Sequence, residues 1–388
     1  MAKKMLMACG NYWGSPFQVG SHHIARSFVK QGWEVAFVSD PISPLHILSG
    51  ISNELKERYI IYRSGGITDL DEHLWTYIPG ALFTPHNKPI LKSEWIHRNW
   101  FRATIPNLLE RIEHAEFKKV DLVYFDTVNF SFLLKYLNYK KSVFRIADKL
   151  SGFSKCTATM KRMEQELASS VDSVLYTANN LQEYVQDMKP KHTIYMPNGV
   201  NFEHFRKGPY QQPLEYKNIK SPIAVYVGAI DRWFDYNLFN EAAKGLPNVS
   251  FVLIGPDKMA RERIVSASNI HILGKRSYQE IPAYLHHANV GIIPFDVQGH
   301  GDLVNSINPL KLYEYMACGL PVVSVSWDEL TYLNTPACLA KNSQEFIAKI
   351  NKYAFSSKEE HEVSLINYVQ QHRWEERVEK IIKQLGFI

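Results

Sequence analysis

At 388 residues the chain exceeds what one ordinary core supports, so two domains are expected. An apolar content of 45% with 21% charged residues excludes a disordered or membrane-embedded protein. The formal charge of +5 is too mild to imply nucleic acid, and it suits anionic small molecules or an anionic membrane surface equally.

The N-terminus carries Lys3 and Lys4, but the apolar run 5–9 that follows is too short for a signal peptide and predicts the first strand. A helix over 21–31, ended by Gly32, and a strand over 34–39 complete a βαβ unit of a parallel sheet. Such sheets bind ligands at the C-terminal ends of their strands. The loop 10–20 leaves a strand in that way, and Tyr12, Trp13 and Phe17 offer flat faces there. It is not a G-x-G-x-x-G fingerprint, so no nicotinamide cofactor is expected. His22 and His23 open the next helix. His22 is a candidate catalytic base near neutral pH, and packing or capping is the alternative.

Residues 45–112 are irregular, basic and aromatic. Trp95, Arg98 and Trp100 interleave rings with cations, which suits an acceptor or the boundary of an anionic membrane. The alternative is an aromatic-rich insert packed on its own sheet. No nucleic-acid-binding module is visible. Strands are predicted over 120–125, 142–147, 173–177 and 193–196, with helices over 130–137, 160–168 and 180–188. The strand 142–147 delivers Asp148 to its C-terminal end, where a general base would be useful. A helix N-cap or an ion pair with Arg145 or Lys149 is the competing role. Residues 207–221 read as a linker.

The alternation then resumes. The strand 223–227 runs into Gly228 and, four residues on, Arg232. The strand 249–254 runs into Gly255, 270–273 into Gly274, Lys275 and Arg276, and 290–294 into a loop over 295–302. Helices are predicted over 239–244 and 278–287. The stretch 305–324 holds Asn308, Pro309, Leu310, Lys311, Glu314, Gly319 and Pro321. Its middle predicts a short helix with proline at the start, glycine past the end and a buried strand after Pro321. Lys311 and Glu314 share a helix face. A cation at a helix N-terminus suits phosphates, and a carboxylate one turn on suits ribose hydroxyls. Arg232, Lys275, Arg276 and Lys311 all follow strands or open a helix, so they are expected to line one crevice. Residues 370–385 predict an amphipathic helix.

Two Rossmann-like halves, Pro197-Asn198-Gly199-Val200 at their junction, and the pattern Pro309-x-Lys311-x-x-Glu314-x-x-Ala317-x-Gly319-x-Pro321 together resemble the GT-B glycosyltransferases. That resemblance implies an α/β fold of two Rossmann-like domains facing a cleft, with the C-terminal helix crossing back to the first. It implies an acceptor-binding domain over 1–205, with 370–388 packed back on it, and a nucleotide-sugar-binding domain over 206–369. Gly228, Arg232, Gly274, Lys275, Asn308, Pro309, Leu310, Lys311 and Glu314 would then hold the donor. The common retaining group places a Glu eight positions before Glu314; Ser306 stands there instead. The Leu310-Lys311-x-x-Glu314 spacing and Asp148 are closer to the inverting bacterial glucuronosyltransferase that builds xanthan and to teichuronic-acid-type enzymes. By that resemblance Asp148 is the base, and the donor is a UDP-sugar such as UDP-glucuronate. The acceptor is then a lipid-linked glycan at the inner face of a bacterial membrane.

Four scattered cysteines, with no C-x-x-C pair and no His in zinc spacing, lead to an expectation of no metal, no disulfide and a cytoplasmic location, with peripheral membrane contact. A GT-B epimerase, a retaining transferase and a non-catalytic glycan-binding subunit are the alternative functions.

Overall fold

A computed structural model describes residues 2–48, 50, 52–69, 73–153 and 156–388. The chain divides into two units, one of Met1–Pro197 with Arg377–Ile388 and one of Asn198–Glu376.

Among its described residues the first unit has eight strands: β1 (Lys4–Cys9), β2 (Glu34–Ser39), β3 (Ile67–Asp69), β4 (Leu74–Tyr77), β5 (Lys119–Phe125), β6 (Asn138–Ile146), β7 (Ser173–Tyr176) and β8 (Thr193–Tyr195). Their order is β3-β4-β2-β1-β5-β6-β7-β8, parallel except for β3, which runs antiparallel at one edge. The apolar runs of β1 and β5 are buried on both faces, as a parallel sheet requires. Because β2 lies on one side of β1 and β5 on the other, the strand order reverses direction at β1. Residues 377–388 complete this unit, with Phe387 edge-on to Trp33 at 5.0 Å.

The second unit carries six parallel strands: β9 (Ile223–Val227), β10 (Ser250–Ile254), β11 (Ile270–Gly274), β12 (Val290–Ile293), β13 (Val322–Val325) and β14 (Cys338–Ala340), in the order β11-β10-β9-β12-β13-β14. Here the order reverses at β9. Crevices at such reversals are where open α/β sheets take ligands.

Two expectations change. Residues 207–221 are no free linker: they lie in the second unit, with Tyr216 buried edge-on to Tyr284 and Glu215 ion-paired to Arg276. The basic-aromatic insert supplies two short strands, β3 and β4, and buries Trp100 completely. Within that insert Ser49, Ile51 and residues 70–72 lie outside the described residues. The closing helix predicted over 370–385 is present as Trp374–Gln384, and a break separates it from the preceding helix Glu359–Gln370. The break arises where Val200 donates to the His372 carbonyl at 2.9 Å and accepts from the Trp374 N–H at 3.3 Å. A Cβ at Gly199 would lie 2.9 Å from the same His372 carbonyl, so this close pairing requires glycine.

Candidate active site

The helix Leu310–Ala317 opens after Pro309 and closes in a Schellman motif: Gly319, at φ +66°, donates to Met316, and Leu320 donates to Tyr315. Tyr315 fixes it to the sheet. Its hydroxyl accepts from the Val227 N–H at 2.6 Å, and its ring covers Gly291, where a Cβ would come within 2.3 Å. Lys311, on the first turn, is thereby carried to the point of strand reversal. Its ammonium lies 5.3 Å from the Tyr226 ring centroid and 4.8 Å from that of Phe295, the residues of β9 and the β12 exit. Trp327 stacks beneath Phe295 at 5.5 Å. Cation–π attraction from two rings holds the charge without neutralising it.

Lys311 reaches across Gly228, where a Cβ would stand 3.0 Å from its Cε. Gly255 packs against Gly228 so closely that a Cβ there would lie 1.9 Å from the Gly228 carbonyl oxygen. With Gly274 at the end of β11, three adjacent strand ends present backbone alone. Such a floor admits a ligand close to the chain. Glu314, one turn beyond Lys311, is partly exposed by area, but desolvation pushes its carboxyl up to about 7 against the pull of Lys311.

Other expected donor residues divide. Arg232 lies on the β9 exit, where its N–H donates to Asp231 at 2.6 Å, and Lys275 is exposed just past β11, its charge bearing on Asp257. Arg276 is taken up in the fold, bonded to Glu215, Tyr284 and the Leu273 carbonyl. Asn308 is likewise structural. It is 3% exposed, receives the Asn198 N–H and the Tyr313 hydroxyl, and donates to the fully buried Glu329. Pro309 is the N-cap residue and buried, whereas Leu310 is half-buried at the first turn.

In the first unit Asp148 stands two residues past β6, half-buried, and its charge bears on Arg145. His22 is no base. It is fully buried, its Nδ1 accepts from the Val19 N–H at 3.2 Å, and its Nε2 donates to the Tyr12 carbonyl at 2.9 Å. Burial lowers it to about 4 and keeps it neutral. Tyr12 and Trp13 offer no free faces: they are buried, bonded to Glu57 and Asp69, with Arg26 over the Trp13 ring. Trp100 donates to the Asn129 carbonyl inside the core, and Arg98 is ion-paired with Glu94 and Glu166. Trp95 alone of these is open, 63% exposed.

Residues 7–177 match the family model described as the N-terminal domain of the glucuronosyltransferase GumK, and residues 221–354 match that of the group 1 glycosyl transferases. The chain has the GT-B fold, and its two halves are each similar to a glycosyltransferase family.

The chain is 24% identical over 189 residues to a Bacillus subtilis (strain 168) protein named as a teichuronic acid biosynthesis glycosyltransferase, TuaH. The match spans 46% of each chain, less than half of the relative's length. Among solved structures, sucrose-phosphate synthase from Thermosynechococcus elongatus superposes with a TM-score of 0.67 over 98% of both chains at 16% identity. Anabaena HepE, solved with UDP and glucose, gives 0.66 over the whole of both chains at 15% identity.

The rings of Tyr226 and Phe295 escape a reading of the sequence, because in an apolar strand an aromatic reads as core. Gly255 was visible as a strand-end glycine, but its contact with Gly228 is a property of register alone.

Proposed function

We propose that the protein transfers a sugar from a UDP-sugar to a lipid-linked glycan in cell-surface polysaccharide synthesis, with inversion and without a metal. The observation that carries this reading is Lys311, held between two rings over side-chain-free strand ends where the sheet order reverses. As the anomeric carbon–oxygen bond to the diphosphate breaks, its electron pair stays on the phosphate oxygen. Lys311 and the N–H groups of the helix's first turn offset that charge. Glu314 accepts from ribose hydroxyls, which favours its charged form. The acceptor hydroxyl forms the new bond and yields its proton to Asp148. Inversion is favoured because Ser306 is 1% exposed and donates to the Leu303 carbonyl, so that position offers no carboxylate.

For the acceptor, the support is the outer surface of the first unit. A groove of about 290 Å³ is lined by Ile42, Pro44, Ile47, Tyr59, Leu82 and Ile105. Trp95 and the 80% exposed Ile90 stand beside exposed Lys88 and Lys92. Exposed apolar side chains interleaved in sequence with lysines suit an anionic membrane surface, where a lipid-linked acceptor would lie. A glucuronate donor is the specific expectation, motivated by the match to the GumK model. The test is purified enzyme with a panel of UDP-sugars and with lipid-linked and soluble glycans. UDP release coupled to a product of inverted anomeric configuration is expected, with an Asp148→Asn variant slowed by about 10²-fold or more. Isomerised donor without UDP release would identify an epimerase, and an unimpaired Asp148→Asn would remove Asp148 from the chemistry.

A further inference from the structure

The first unit holds a second carboxylate that this mechanism leaves unused. Three aspartates follow the C-terminal ends of strands on the two sides of β1: Asp40 after β2 on one side, Asp126 after β5 and Asp148 after β6 on the other. Asp126 is neutralised, ion-paired to buried Arg145 at 3.1 Å and bonded to the Ser21 hydroxyl. Asp40 is placed differently. Its N–H donates to the Cys9 carbonyl at 3.0 Å, which sets it beside the exit of β1, where the sheet order reverses. The Asn129 amide donates to both carboxylate oxygens, at 3.1 and 3.2 Å. Asn129 is itself anchored by Trp100, which donates to its carbonyl at 3.0 Å.

On the other side of Asp40 stands Gly10, exposed and without a side chain. A Cβ built at Gly10 meets nothing within 4 Å except Asp40 Oδ2, at 3.9 Å. One oxygen of a rigidly aligned carboxylate therefore opens onto bare backbone at the ligand-binding end of the sheet. The groups facing it are Arg58, which binds the Asp40 carbonyl rather than the carboxylate (3.0 Å), the Cys9 thiol, Asn129, and His97 behind Asn129.

We propose that Asp40 is an acceptor-binding residue, whose aligned oxygens accept hydrogen bonds from acceptor-sugar hydroxyls over Gly10 and so aim the reactive hydroxyl at Asp148. This rests on the reading that the first unit holds the acceptor. Burial pushes the Asp40 carboxyl up to about 6, so acceptor binding weakens as the pH falls through that value.

The test measures acceptor KM, donor KM and slow donor hydrolysis in wild type and in Asp40→Asn and Asn129→Ala variants from pH 5 to 8. Asp40→Asn keeps one of the two bonds from Asn129 but weakens acceptance, so acceptor KM rises roughly 10- to 100-fold while donor KM and hydrolysis hold within about twofold. Asn129→Ala removes two donors that favour the charged form, so the acid limb of acceptor kcat/KM moves to higher pH. Unchanged acceptor KM in folded Asp40→Asn overturns the proposal alone. Should that variant not fold, an unmoved acid limb in Asn129→Ala overturns it equally. Absence of transfer by wild type with every acceptor overturns both the proposal and the reading beneath it.

Discussion

Glu314 shows how far burial reshapes a side chain that sequence pattern alone can place. Its carboxyl, pushed up to about 7, keeps a proton in the folded state that the unfolded chain releases near 4.5. Between those values the native state binds more protons, so stability falls as pH rises and levels off above about 7. Asp40 and Glu164, raised to about 6 and about 7, act with the same sign. A Glu314→Gln variant lacks one of these contributions. Urea unfolding at pH 5 and pH 8 is expected to show the variant losing less stability than wild type over that interval; parallel losses would contradict the assignment. Lys311 was legible because prolines and glycines punctuate its helix. His22 was misread because a histidine at a helix start looks the same whether it is open or wholly enclosed, and only the packed structure shows Val19 and Tyr12 occupying both ring nitrogens.

Strand ends and helix ends decide what this site can hold. Gly255 and Gly274 both adopt positive φ, but for different reasons. A Cβ at Gly255 would run into the Gly228 carbonyl, whereas one at Gly274 meets only the flexible Asp257 side chain at 3.8 Å. Gly255→Ala is therefore expected to destabilise by on the order of 3 kcal/mol and Gly274→Ala by about 1 kcal/mol, measured by urea denaturation. Equal losses would show that the backbone contact does not govern this edge. The strands β1, β2, β5 and β9 were legible because each is an apolar run closed by a turn signal. The strands β3 and β4 were not. With three and four residues, inside a stretch dense in aromatics, they take their identity from pairing beside β2 rather than from any local period.

The whole molecule repeats one device: a parallel sheet whose strand order reverses at one strand, with chemistry gathered where that strand ends. In the second unit the reversal at β9 brings together Gly228, Lys311 and Phe295. In the first, the reversal at β1 sets Gly10 between Asp40 and Asp126. Among the described residues no helix is long and apolar enough to cross a membrane, and Trp95 and Ile90 are exposed on the surface of the first unit. The two-fold βαβ alternation was plain in the sequence. The junction was less so, because residues 207–221 look like a linker until Tyr216 is seen buried. The central claim is that Lys311 holds the diphosphate of a nucleotide sugar. It is tested most directly by thermal unfolding of wild type and Lys311→Ala with and without saturating UDP-sugar. A ligand that binds only the folded state raises its midpoint by mass action. We expect one UDP-sugar to raise the wild-type midpoint by several degrees, roughly 4 °C for 2–3 kcal/mol of linkage, and the rise to vanish in Lys311→Ala. An equal rise in both proteins would contradict the account.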